Sequence, residues 1–128
     1  MESKQDITWL KIRDEASIMA ADEPMLASFF HSVILNHNSL ASALSFQLAA
    51  KLDSTTMPAM LLREVIEEAF SADPTIMVAV LADIHAVRDR DPAVQHYAIP
   101  LLYLKGFHAI EGYRVAHWLW MRGRFALA

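Results

Sequence analysis

Helix formers dominate the chain, and its sparse prolines read as punctuation between helices rather than as kinks inside them. Residues 6–21 form the first predicted helix, with Ile7, Leu10, Ile12 or Asp14, and Ile18 as an imperfect apolar stripe beside Lys11, Arg13 and Glu15. Asp22-Glu23-Pro24 supplies acidic residues and an N1 proline for a second helix over residues 24–37. Asn38-Ser39 caps a third over residues 40–52, where Leu40, Ala43, Leu44, Gln47 and Leu48 share one face. After the polar turn Asp53-Ser54-Thr55-Thr56, Pro58 opens a fourth helix to about residue 71. Its apolar positions are Met60, Leu61, Val65 and Ala69, and its exposed ones Arg63, Glu64, Glu67 and Glu68.

Asp73-Pro74 repeats the cap-plus-proline signal for a fifth helix ending near Arg90. Residues 91–104 differ, because Pro92 and Pro100 interrupt any long helix and residues 97–103 are apolar without clear periodicity; the segment reads as irregular with short helical turns. A last helix spans residues 106–121, and Gly123 ends or bends it. The fold class is all-α, a bundle of about six to eight helices forming one domain over residues 1–128.

Composition narrows the function. The net charge of −4 and pI near 5.8 argue against nucleic acid, which would want clustered Lys and Arg. With no cysteine there is neither a disulfide framework nor a Cys-based zinc site, which fits a reducing cytoplasm. The N-terminus lacks a signal-peptide layout and no apolar stretch is long enough for a membrane span, so the expectation is an unexported, cytoplasmic protein without a membrane partner. The positive mean hydropathy of +0.24 reflects either apolar surface left over for a partner or an alanine-rich helical composition.

Few constellations carry chemistry. None of the six histidines pairs at i and i+4, and His108 and His117 fall on opposite faces of one helix, so no metal site within a helix is expected. His108 and Glu111, three residues apart, fit a surface ion pair better than a carboxylate-oriented base, since no nucleophile is spaced to use them. His117 beside Trp118 and Trp120 reads as a packed or interface histidine. The ending Trp118-Leu119-Trp120-Met121-Arg122-Gly123-Arg124 carries too few basic residues for a membrane surface, and its aromatics read as packing. Asp91, ahead of Pro92 in the irregular segment, is from the residues alone most simply a helix N-cap, with a ligand-directed carboxylate as the other reading.

Several strings change that balance. Asp91-Pro92-Ala93-Val94, Pro100-Leu101-Leu102-Tyr103-Leu104-Lys105-Gly106-Phe107-His108-Ala109 and Tyr113-Arg114-Val115-Ala116-His117-Trp118-Leu119-Trp120 closely resemble the end of the helical N-terminal domain of bacterial serine O-acetyltransferases. The resemblance extends upstream through residues 21–29, Ser42-Ala43-Leu44-Ser45 and residues 63–69, and so covers nearly the whole chain. It implies a parent activity that moves an acetyl group from acetyl-CoA to the hydroxyl of L-serine, giving O-acetylserine for cysteine synthesis. It also implies that the residues after Ala128 lead into a left-handed β-helix holding the general-base histidine, its orienting carboxylate and the coenzyme A site. On that reading no catalytic, cofactor-binding or metal-binding residue lies in this chain, and the chain alone is inactive.

Within the chain the resemblance assigns Asp91 to the serine amino group, for which a carboxylate is the natural partner, with Pro92 beside it. It further implies self-association, the β-helices making trimers and the N-terminal helices joining two trimers. Cysteine is implied as a feedback ligand at the serine site, and O-acetylserine sulfhydrylase as a partner held by a C-terminal tail outside these residues. Glu111-Gly112 departs from the family, which carries a more helix-friendly, uncharged pair there; the glycine would allow a close helix contact. The alternative is a stand-alone helical assembly or regulatory module without catalysis.

Overall fold

The computed structural model describes residues 3–128, which form seven helices. Helix α1 (Lys4–Asp22) starts two residues earlier than its apolar pattern, because Ser3 and Asp6 close a reciprocal capping box: Asp6 N–H donates to Ser3 Oγ at 3.1 Å and Ser3 N–H to Asp6 Oδ2 at 3.3 Å. Its buried face is Thr8, Trp9, Ile12 and Ala16. The expected stripe is therefore corrected: of its members only Ile12 points inward, while Ile7 and Leu10 are exposed and Ile18 is 62% exposed. The small Thr8 and Ala16 let neighbouring elements approach closely, and Thr8 Oγ1 bonds His85 Nε2 across the core at 3.0 Å.

Helix α2 (Pro24–Leu35) changes pitch along its length, from a 3₁₀ turn at Pro24–Leu26 through Ala27–Phe30 to a π turn at His31–Leu35. It ends before His37, where Arg13 of α1 donates to the carbonyls of Leu35 at 3.0 Å and His37 at 2.7 Å and so satisfies the end of another helix. Helix α3 (Leu40–Leu52) buries the face expected of it, including Gln47, whose Nε2 donates to the carbonyls of Leu101 and Leu102.

Helix α4 (Ala59–Ala72) packs along α3, but through Ile66, Ala69 and Phe70. Met60 is 77% exposed and Leu61 is also exposed, against the expectation for that face; the half-buried Leu62 and Val65 complete the i, i+3, i+4 pattern instead. Helix α5 (Pro74–Arg90) is capped by Asp73, which accepts Thr75 N–H at 3.0 Å. No single described helix is long and apolar enough to cross a membrane; α4 and α5 would pass only together, and they meet at 99°.

The segment expected to be irregular contains a short helix, α6 (Ala98–Tyr103), with Pro100 as its third residue, where no intrahelical donor is lost. Helix α7 (Lys105–Met121) ends in a Schellman closure, in which Gly123 at φ 78° donates to Trp120 O and Arg124 N–H reaches Leu119 O, both at 3.0 Å. Gly112 in mid-helix faces no close neighbour, since a Cβ built there meets nothing within 4 Å. The close contact expected of it is not made among the described residues.

Candidate functional site

The chain leaves α5 at Asp91, whose N–H makes the last helical bond, to Val87 O at 3.0 Å. Pro92 disfavours helical backbone at the preceding residue, and Asp91 is extended at φ −104° and ψ 109°. Its side chain then closes a turn: Oδ1 accepts Ala93 N–H at 2.9 Å, while its carbonyl accepts Val94 N–H at 3.0 Å. Val94 is buried and anchors the turn. Asp91 is thus the C-terminal flank of α5 and the head of an Asx turn, not the N-cap that the residues alone suggested.

The Asp91 carboxylate is exposed, and its Oδ2 has no hydrogen bond among the described residues. It stands with Pro92, Arg90, Ala86 and Val87 around a shallow hollow of about 410 Å³. A carboxylate with one oxygen committed to its own turn and the other free presents a single negative acceptor, which suits an ammonium group. The hollow holds no second acid, no nucleophile and no histidine, so it can orient a ligand but not transform it. Among the described residues no group of three or more His, Asp or Glu could hold a metal ion.

The remaining candidates sit elsewhere. His108 and Glu111 are not a surface pair: both are buried, Glu111 at 0% exposure, and they make no hydrogen bond to each other. The ion-pair expectation failed because Glu111 shares the Phe107, Val115 and Trp118 face of α7, a register readable from the spacing. His108 Nε2 donates to Leu101 O at 2.7 Å, tying α7 to the carbonyl that Gln47 of α3 also holds, and burial lowers its pKa.

Glu111 accepts Arg114 Nε at 2.9 Å, and the Arg114 guanidinium pairs with Asp83 at 2.7 Å. Desolvation, helped by the neighbouring Asp83, pushes the Glu111 carboxyl up to about 8. At neutral pH it is mainly the uncharged acid, and Arg114 makes its shorter contact with Asp83.

His117 is exposed and stacks on Tyr113 at 5.8 Å. Trp118 is buried under Arg122 and Arg124 pairs with Glu68 at 2.6 Å, but Trp120 touches Phe125 while both remain exposed, so of the aromatics in this ending only Trp118 packs into the bundle.

Residues 8–112 match the family described as serine acetyltransferase, N-terminal. The serine acetyltransferase of Escherichia coli (strain K12) is 57% identical over 96% of this chain and 45% of its own length. The crystal structure of the serine acetyltransferase from Vibrio cholerae superposes with a TM-score of 0.92 at 58% identity, covering 94% of this chain and 46% of that one. A soybean serine acetyltransferase complexed with serine gives 0.95 at 43% identity, over 99% of this chain and 52% of its own. The chain therefore spans about half the length of the relatives it matches.

Proposed function

We propose that this chain, which belongs to the serine acetyltransferase N-terminal family, works as the helical domain of an enzyme that acetylates L-serine with acetyl-CoA in cysteine biosynthesis. The observation that carries the reading is the exposed, half-committed Asp91 carboxylate, set in a fold that superposes on a relative complexed with serine. Asp91 binds the ammonium of serine and so sets where its hydroxyl stands, while Pro92 fixes the extended backbone that presents the carboxylate. The general-base histidine and the acetyl-CoA site belong to the part of the protein that corresponds to the rest of the relatives' length. The same ammonium recognition admits L-cysteine as a feedback ligand, and any tail that docks O-acetylserine sulfhydrylase belongs to that further part too. The setting that fits is the cytoplasm.

The test is a thiol-release assay. The 128-residue chain mixed with serine and acetyl-CoA is expected to liberate coenzyme A no faster than buffer, whereas the same chain continued into a β-helix domain liberates it steadily. Serine-dependent release by the chain alone would place a catalytic set inside it and overturn the reading.

A second role has its own observation: Ile7, Leu10 and Ile18 line the outer side of α1, with Met25 exposed at the start of α2. This face suits self-association, in the complete enzyme as the joint between two trimers. A chain that sediments as a monomer at all concentrations would remove the case for autonomous assembly.

A further inference from the structure

We infer that Glu15 is the positioning residue for Asp91, acting from α1 by holding the start of α6 and with it the far end of the Asp91 turn. The inference rests on the reading of Asp91 as the partner of serine. Glu15 Oε2 accepts Tyr97 N–H at 3.1 Å and Oε1 accepts Ala98 N–H at 3.0 Å, and His96 Nδ1 lies 3.3 Å from Oε2. Helix α6 has no side-chain cap from its own flank, so a carboxylate more than 80 residues earlier in the chain does what an N-cap does locally. Because both oxygens are engaged, it fixes direction as well as distance.

The Tyr97 ring reinforces the clamp. It lies under the Arg88 guanidinium at 4.5 Å, against His85 at 4.9 Å and near Lys11 at 5.5 Å, touching α5 on one side and α1 on the other. The stretch from Asp91 to Tyr97 is thereby held at one end by α5 and at the other by α1, with buried Val94 between. Asp91 itself is exposed and makes its side-chain hydrogen bond only within its own turn, so its place in space is inherited from those two ends. Glu15 is not among the residues around the Asp91 hollow. Its influence on a bound ligand must therefore pass through the turn, where a displacement of about 1 Å is enough to impair a reaction that depends on orientation.

In the complete enzyme, Glu15→Gln turns one acceptor into an amide that faces a backbone N–H. It is expected to raise the KM for serine about tenfold, to leave that for acetyl-CoA within about twofold, and to add less than about twofold on an Asp91→Asn background. An equal rise in both constants, or a full additional tenfold on that background, overturns the inference. Glu15→Asp, which keeps the charge but falls short of the two N–H groups, is the second variant should the first fail to fold, and the same split is expected of it.

Amide exchange in the 128-residue chain tests the clamp without substrate. Tyr97 and Ala98 are expected to exchange about tenfold faster in Glu15→Gln while Ile12 and Val80 are unchanged; unaltered exchange at Tyr97 and Ala98 overturns the clamp. A serine KM that does not move in Asp91→Asn alone overturns the reading of Asp91 and this role with it, whatever the exchange shows.

Discussion

Asp91→Asn in the complete enzyme is expected to raise the KM for serine by about ten- to a hundredfold and to leave that for acetyl-CoA within about twofold. The size follows from a hydrogen bond to a charged group, worth about 1.5–3 kcal/mol, since about 1.4 kcal/mol corresponds to a factor of ten. Asparagine is chosen because its side-chain oxygen can still accept Ala93 N–H and keep the Asx turn that Asp91 Oδ1 makes at 2.9 Å. The variant thus removes the charge and preserves the shape. If Asp91 only heads a turn, steady-state kinetics will show both Michaelis constants unchanged. If instead both rise together, Asp91 matters to the fold rather than to serine.

Glu111→Gln is expected to abolish the decline in folding stability with rising pH that the Glu111 carboxyl gives the parent chain. The Glu111 carboxyl is pushed from its ordinary value near 4.5 up to about 8, first by burial and then by Asp83, against the opposing pull of Arg114. Between those values the folded chain keeps a proton that the unfolded chain releases. Stability from this group is therefore complete below about pH 4.5 and declines as pH rises through 8. The full loss is about 5 kcal/mol from a shift of that size.

Glutamine keeps an oxygen for Arg114 Nε and carries no proton to lose. Urea unfolding at pH 5 should give nearly equal midpoints for the two proteins, and at pH 9 a clearly higher one for Glu111→Gln. His37, His85 and His108, whose pKa values are lowered chiefly by burial, act mainly below pH 6.5 and cancel between the two proteins. A difference in midpoint between the two proteins that is the same at pH 5 and pH 9 would mean that Glu111 is already ionised in the fold. Burial thus makes Glu111 behave at neutral pH as an uncharged residue.

The sequence by itself determined the starts of α3 and α5, the end of α7 and which family the chain resembles. Ser39, Asp73, Pro74 and Gly123 act on backbone groups within four residues of themselves, so their effect is written next to them in the chain. The buried face of α3 was equally legible, because its apolar residues are strong and contiguous on one side. Asp91 was legible as a candidate site only through the resemblance; its residues alone pointed to a cap.

Only the tertiary structure decided which side of α1 and α4 is covered, since each carries apolar residues on more than one side and the neighbour selects between them. It likewise turned Glu111 from a surface charge into a buried acid and made Glu15 the cap of a helix in the last third of the chain. The physical reason is range: caps and turns are short-range hydrogen bonds, whereas burial and remote capping depend on groups that meet only once the helices have packed.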